Sequence, residues 1–89
     1  MNVLIQKKEG KRTYSYYGVL SHKQNTLFLD NLYDNVIVDN EKIHLDKISN
    51  LSWKHGQTPS ISFHHNDHHF EISDYTGEVF EYLQEKVFA

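Results

Sequence analysis

The sequence predicts a mainly β domain of the α+β type. We expect a single small antiparallel bent barrel or sandwich of about seven strands, closed by one C-terminal amphipathic helix. Three observations lead there. Apolar residues recur at every second position through most of the 89 residues, which is the period of strands with one buried face. Short clusters of Gly, Asn, Asp and Lys break that alternation where turns belong. Only the segment from about residue 77 to 88 changes to helical spacing.

Along the chain, Val3 and Ile5 alternate first, and KEGK around Gly10 reads as a hairpin turn. In the next strand Tyr14, Tyr16 and Leu20 share one face with Gly18 between them, while Tyr17 and Val19 take the other. Gln24-Asn25 turns into Leu27, Phe28 and Leu29. The polar cluster Asp30 to Asn35 then leads to a strand at Val36, Ile37 and Val38, and Asp39-Asn40 turns again. Ile43 and Leu45 alternate, but the spacing breaks before Ile48, Leu51 and Trp53. A corner or bulge at Asp46-Lys47 accounts for the break.

A loop from Gly56 to Ser60 with the only proline, Pro59, precedes ISFHHNDHHFEI. A two-residue turn at Asn66-Asp67 pairs 65 with 68, 63 with 70 and 61 with 72. That register puts Phe63, Phe70, Ile61 and Ile72 on one face. His64 then opposes His69 on the solvent face, with His65 and His68 at the tip beyond the core. A slip by one residue would undo this sorting. The strands thus occupy about 2–72. Thr76 is the expected N-cap of the helix at about 77–88, where Val79, Phe80, Leu83 and Val87 form the apolar face and Glu78, Glu81 and Glu85 face water.

The length fits one domain over 1–89. The absence of cysteine excludes a disulfide framework, a thiolate nucleophile and a thiolate zinc site. Val3 to Ile5 is too short an apolar run for a signal-peptide core or a membrane span, so a cytoplasmic location is expected. Lys7, Lys8, Lys11 and Arg12 against Glu9 leave +3 in six residues, so the other 83 carry −6 of the total −3. So few cations on one surface disfavour general nucleic-acid binding.

The runs GVL, TLFLD, EKIHLDKISNLSW, ISFHH, HHFEI and EVFEYLQ, from roughly Tyr16 to Val87, resemble the small bacterial pleckstrin-homology-like (PH-like) domains. In that family a Leu-x-x-Ile corner precedes a long hairpin, and the closing helix plugs one end of a bent barrel. Leu45 and Ile48 match the corner, and Phe80 and Leu83 match the helix. The alternative is an Sm-like or other SH3-like small barrel, which shares the Gly18-Val19-Leu20 strand logic but does not normally end in such a helix.

The resemblance also implies an anionic-ligand site at Lys7, Lys8, Lys11 and Arg12, because the loop between the first two strands supplies the cations for phosphoinositide head groups in eukaryotic members. The sequence departs from that pattern at Thr13 and Tyr14, where the family's Lys/Arg-x-Arg element would require an arginine. The plain alternative is a solvated hairpin tip whose charges discourage edge pairing.

Other constellations are weaker. His64 and His69, as a cross-strand pair, supply two metal ligands where a closed site needs four and a catalytic one usually three. The aspartates of DNLYDNVIVDNE lack calcium-loop spacing and suit Asx turns. No nucleophile elbow, phosphate loop or metalloprotease motif occurs, so neither an enzyme nor a cofactor is expected. Trp53, followed by Lys54-His55-Gly56, is the candidate protein contact among twelve mostly core-forming aromatic residues. The expected function is a non-enzymatic protein-interaction module, bacterial or phage-encoded, an inhibitor or adaptor of a protein partner. The alternatives are anionic-ligand or membrane-surface binding through residues 7–12, or nucleic-acid binding on a small barrel. An edge strand could also pair to make a homo-oligomer.

Overall fold

The computed structural model describes residues 1–32, 39–74 and 76–88, and within them seven strands form one antiparallel sheet. They are β1 (Asn2–Glu9), β2 (Arg12–Lys23), β3 (Thr26–Asn31), β4 (Glu41–His44), β5 (Ser49–Lys54), β6 (Ser60–His65) and β7 (His68–Ser73), in the order β4-β3-β2-β1-β7-β6-β5. The sheet curls into a half-barrel, with a short helical segment at its C-terminal end. The strand expected at Val36–Val38 lies outside the described residues.

The curl follows from chain length. β4 and β5 are the two edges of the sheet, yet only residues 45–48 separate them in sequence. From His44 to Ser49 an extended chain reaches at most about 18 Å. Seven strands laid flat would hold their edges about 29 Å apart. The sheet must therefore bend until its edges approach. A 3₁₀ turn at Leu45–Lys47 makes the expected corner, and β5 follows it with a register shift between Ser49 and Ser52.

β1 runs through the centre, so Ile5 lies opposite both Tyr16 of β2 and Ile72 of β7. Alternation then builds the interior: Leu20 opposes Leu29, Leu27 opposes Ile43, and Ile61 opposes Ile72. All of these are buried, and burying each such side chain contributes about 1.5–3 kcal/mol. Phe63 and Phe70 stack across β6 and β7 with centroids 5.6 Å apart. Their hairpin has the expected register, because Asn66 (φ 50°) and Asp67 (φ 64°) form a turn with two left-handed residues that matches the twist of the strands.

The C-terminal helix forms where the spacing places it, as α1 (Glu78–Tyr82) continuing into a wider π-helical stretch at Leu83–Val87. One expectation requires correction. Thr76 is not the sole cap. Gly77 (φ 76°) precedes the helix, the Val79 amide donates to Asp74 Oδ2 at 2.9 Å, and the Glu78 amide donates to Thr76 Oγ1 at 3.3 Å. Where the spacing breaks, Leu51 is 40% exposed beside the irregular step at Asn50 (φ 55°). Val79, Phe80 and Leu83 are buried as the spacing required.

Candidate functional site

The basic segment divides on folding. Lys8, Lys11 and Arg12 are exposed, whereas Lys7 is buried on the inner face of β1. Its Nζ lies 2.5 Å from Glu41 Oε1 and 2.6 Å from Glu9 Oε1, and 5.9 Å from the centroid of Phe70. Burial by itself would lower the Lys7 pKa. The hydrogen-bonded carboxylates of Glu41 and Glu9 outweigh it and hold the ammonium above its usual value. The expectation of four cations in one ligand site is therefore corrected. Strand alternation turns Lys7 inward, and three cations remain around the tip.

The histidine hairpin also divides. His64 and His69 oppose each other on the outer face, their rings perpendicular with centroids 4.8 Å apart. Asn50 Nδ2 lies 3.1 Å from His64 Nδ1, and His69 has Lys8 opposite it on β1. Burial, then His64 and Lys8, lower the His69 pKa. Among the described residues no group of three or more His, Asp or Glu is arranged to hold a metal ion. Lys8, Gly10, His64, Asp67, His68 and His69 instead line an open groove of about 530 Å³ between the two hairpin tips.

His65 departs from its expected place beyond the core. It is 2% exposed, because β6 carries the inward alternation of Ile61 and Phe63 one step further. The His44 amide donates to its Nε2 at 3.2 Å, which fixes that nitrogen as the unprotonated one. Burial, followed by the field of His44, lowers the His65 pKa.

Trp53 is half-buried and engaged within the chain. It packs edge-on against Phe80 at 5.1 Å and Phe88 at 5.7 Å, joining β5 to the C-terminal segment. Its surface is thus partly spent on holding that segment to the sheet.

Among the described residues the exposed large aromatic side chain lies elsewhere. Tyr17 of β2 is 52% exposed on the outer face, opposite Leu4 of β1, and Leu4 in turn opposes Ser73 of β7. The Leu32 amide donates to the Tyr17 carbonyl at 3.1 Å, which places 40%-exposed Leu32 next to it. Leu4, Tyr17, Ser73, Asn2, Thr58 and Asp74 contribute to a shallow, mostly apolar groove of about 250 Å³. Strand alternation in the sequence already places Tyr17 and Val19 on the non-core face. The signal was Leu4, an apolar residue out of phase between Val3 and Ile5, because two such residues on paired strands make a patch where polar side chains are the rule.

Among the described residues no helix is long and apolar enough to cross a membrane. No family model, no curated protein and no solved structure matches the chain.

Proposed function

We propose that this chain is a non-enzymatic protein-interaction module of PH-like architecture, acting in the cytoplasm through the outer face of its central strands. The observation that carries the reading is the pairing of exposed Tyr17 with Leu4 in an apolar groove, on a face that antiparallel sheets ordinarily give to water. Exposed tyrosines beside an apolar depression are characteristic anchors of protein contacts. The inner face is taken up by the core and by the Lys7 ion pairs, which leaves the outer face and the edges for binding. The curled antiparallel sheet and closing helical segment suit the PH-like resemblance.

Photo-cross-linking tests the proposal. A benzophenone amino acid is placed in turn at Tyr17, at Leu51 of β5 and at Lys11 of the basic tip, and the protein is irradiated in lysate of the cells that encode it. A specific protein adduct from position 17, on the proposed face, is expected. Adducts with nucleic acid alone, or no adduct from any position, would refute the module.

A second reading draws on the groove between the hairpin tips, where Lys8 stands beside His68 and His69. There the chain would hold an anionic ligand or an anionic membrane surface, with Lys11 and Arg12 at the rim. Cosedimentation with anionic vesicles tests it. Replacing Lys8, Lys11 and Arg12 by Gln should abolish binding, and unchanged binding would rule the reading out.

A further inference from the structure

We infer that the Leu4–Tyr17 groove takes an extended segment of a protein partner in which an apolar side chain stands next to a lysine or arginine. The inference rests on the interaction-module reading and specifies the partner's chemistry. Ser73, Leu4 and Tyr17 form one row across β7, β1 and β2, and the row below it contains Asn2, Val19 and Asp30. The rows give a trough about 10 Å across, at about 4.8 Å per strand. With a volume of about 250 Å³, it has room for one or two side chains and none for a helix.

The side-chain charge nearest the trough is acidic, while the N-terminal ammonium beside Asn2 is engaged by the Leu20 carbonyl at 3.1 Å. None of its lining residues is Lys or Arg, and Asp74 lies at one end. The Asp74 oxygens accept from the amides of Thr76 and Val79 and from Thr76 Oγ1, at 2.9–3.0 Å. These bonds outweigh the effect of burial and hold the carboxyl below its usual range, so the charge is fixed in place at neutral pH. Asp30, exposed and opposite Val19, supplies a second carboxylate diagonally across from Tyr17. An apolar side chain on the floor of the trough would therefore have Asp74 in its wall, with Asp30 one strand beyond on the same face. A neighbouring cation complements them, and a neighbouring carboxylate is repelled.

Titration of the ¹⁵N-labelled protein with short acetylated and amidated peptides, alike except for a central Leu-Arg, Leu-Glu or Ala-Arg pair, tests the inference. The Leu-Arg peptide should give saturable amide shifts at Asn2, Leu4, Tyr17 and Ser73. It should bind about fivefold more tightly than Leu-Glu, the ratio that a surface ion pair of about 1 kcal/mol provides. Ala-Arg should bind more weakly than Leu-Arg, and Tyr17→Gln should lose the shifts while the spectrum stays dispersed. Equal affinity for Leu-Arg and Leu-Glu, shifts confined to β5 or the hairpin tips, or no saturable shift would each overturn the inference. So would dilution-dependent shifts of the same amides in the free protein, which would make the occupant a second copy. Cross-linking and titration separate the two levels: a protein adduct from position 17 with equal affinity for Leu-Arg and Leu-Glu sinks the inference alone, whereas no protein adduct from position 17 sinks the proposed binding face as well.

Discussion

Lys7 and Glu41 form an ion pair of 2.5 Å although β2 and β3 stand between their strands in the sheet. Only the curl lets β1 and β4 meet across the interior, so the pair is a chemical marker of half-barrel closure. Removing Glu41 leaves the buried ammonium with Glu9, the more exposed of its two carboxylates, as its one counter-charge. Glu41→Gln should therefore cost about 1–3 kcal/mol in urea unfolding. The double substitution Lys7→Met with Glu41→Leu should come within about 1 kcal/mol of the parent, since buried pairs replaced by apolar residues are often neutral. A double variant as unstable as Glu41→Gln would mean that the pair stabilises the closed sheet beyond offsetting its own desolvation.

His65 makes stability depend on pH in the acid range. Its folded-state pKa lies below that of the unfolded chain, so near and below about 6.5 the unfolded state binds more protons and stability falls as pH falls. The loss is at most about 1.4 kcal/mol per pH unit for each such histidine. His44, His68, Glu41 and Lys47 provide its electrostatic surroundings. His65→Gln keeps an acceptor for the His44 amide and cannot titrate. Its urea midpoint should change less between pH 7.5 and 5.5 than the parent's, the remaining slope including that of His69. Identical slopes would show that His65 does not carry the effect.

Tyr16 acts at the other end of the scale. Burial, reinforced by Glu41 and opposed by Lys7, pushes its pKa up to about 12. The unfolded chain ionises first, so stability should fall as pH rises from 10 towards 12, by about 2–3 kcal/mol for this one group. Its hydroxyl is buried with no hydrogen-bond partner among the described residues. Tyr16→Phe should thus be neutral to stabilising near pH 7 and should flatten the alkaline loss, leaving the part due to Lys7. Unfolding curves at pH 7 and pH 11 decide this, and a strongly destabilised Tyr16→Phe at pH 7 would contradict it.

Gly18 is required by its neighbours. A β-carbon there would lie 2.5 Å from Ile5 Cδ1 and 2.8 Å from the Asp30 carbonyl oxygen. The first contact can be relieved by moving a side chain. The second is backbone, and β3 would have to shift. Gly18→Ala should destabilise by about 1–3 kcal/mol, the usual cost of overpacking. Ile5→Val in the same chain should not rescue it, because the carbonyl remains in the way.

Much of the fold was legible because alternation is a local property. Ile61, Phe63, Phe70 and Ile72 could be sorted from Asn66-Asp67 alone, since the turn sets the register. The corner at Asp46-Lys47 showed as broken spacing, and the 3₁₀ turn stands there. The candidate site was less legible. Charge read along the chain grouped Lys7 with Lys8, Lys11 and Arg12, and a strand sends Lys7 and Lys8 to opposite faces. The same alternation buried His65 and left His64 outside, but only the neighbouring corner shows that the inner face still has cover so near the tip.

The sequence by itself determined the strands among the described residues, the turns between them, the pairing register of the β6–β7 hairpin and the apolar face of the C-terminal helix. All of these depend on spacings within a few residues. Tertiary structure alone decided that Glu41 would neutralise Lys7, that Phe80 and Phe88 would cover Trp53, and that Leu4 and Tyr17 would share an exposed trough. Those partners lie tens of residues apart or on separate strands. Only the curl of the sheet and the pairing of β1 with both β2 and β7 bring them together.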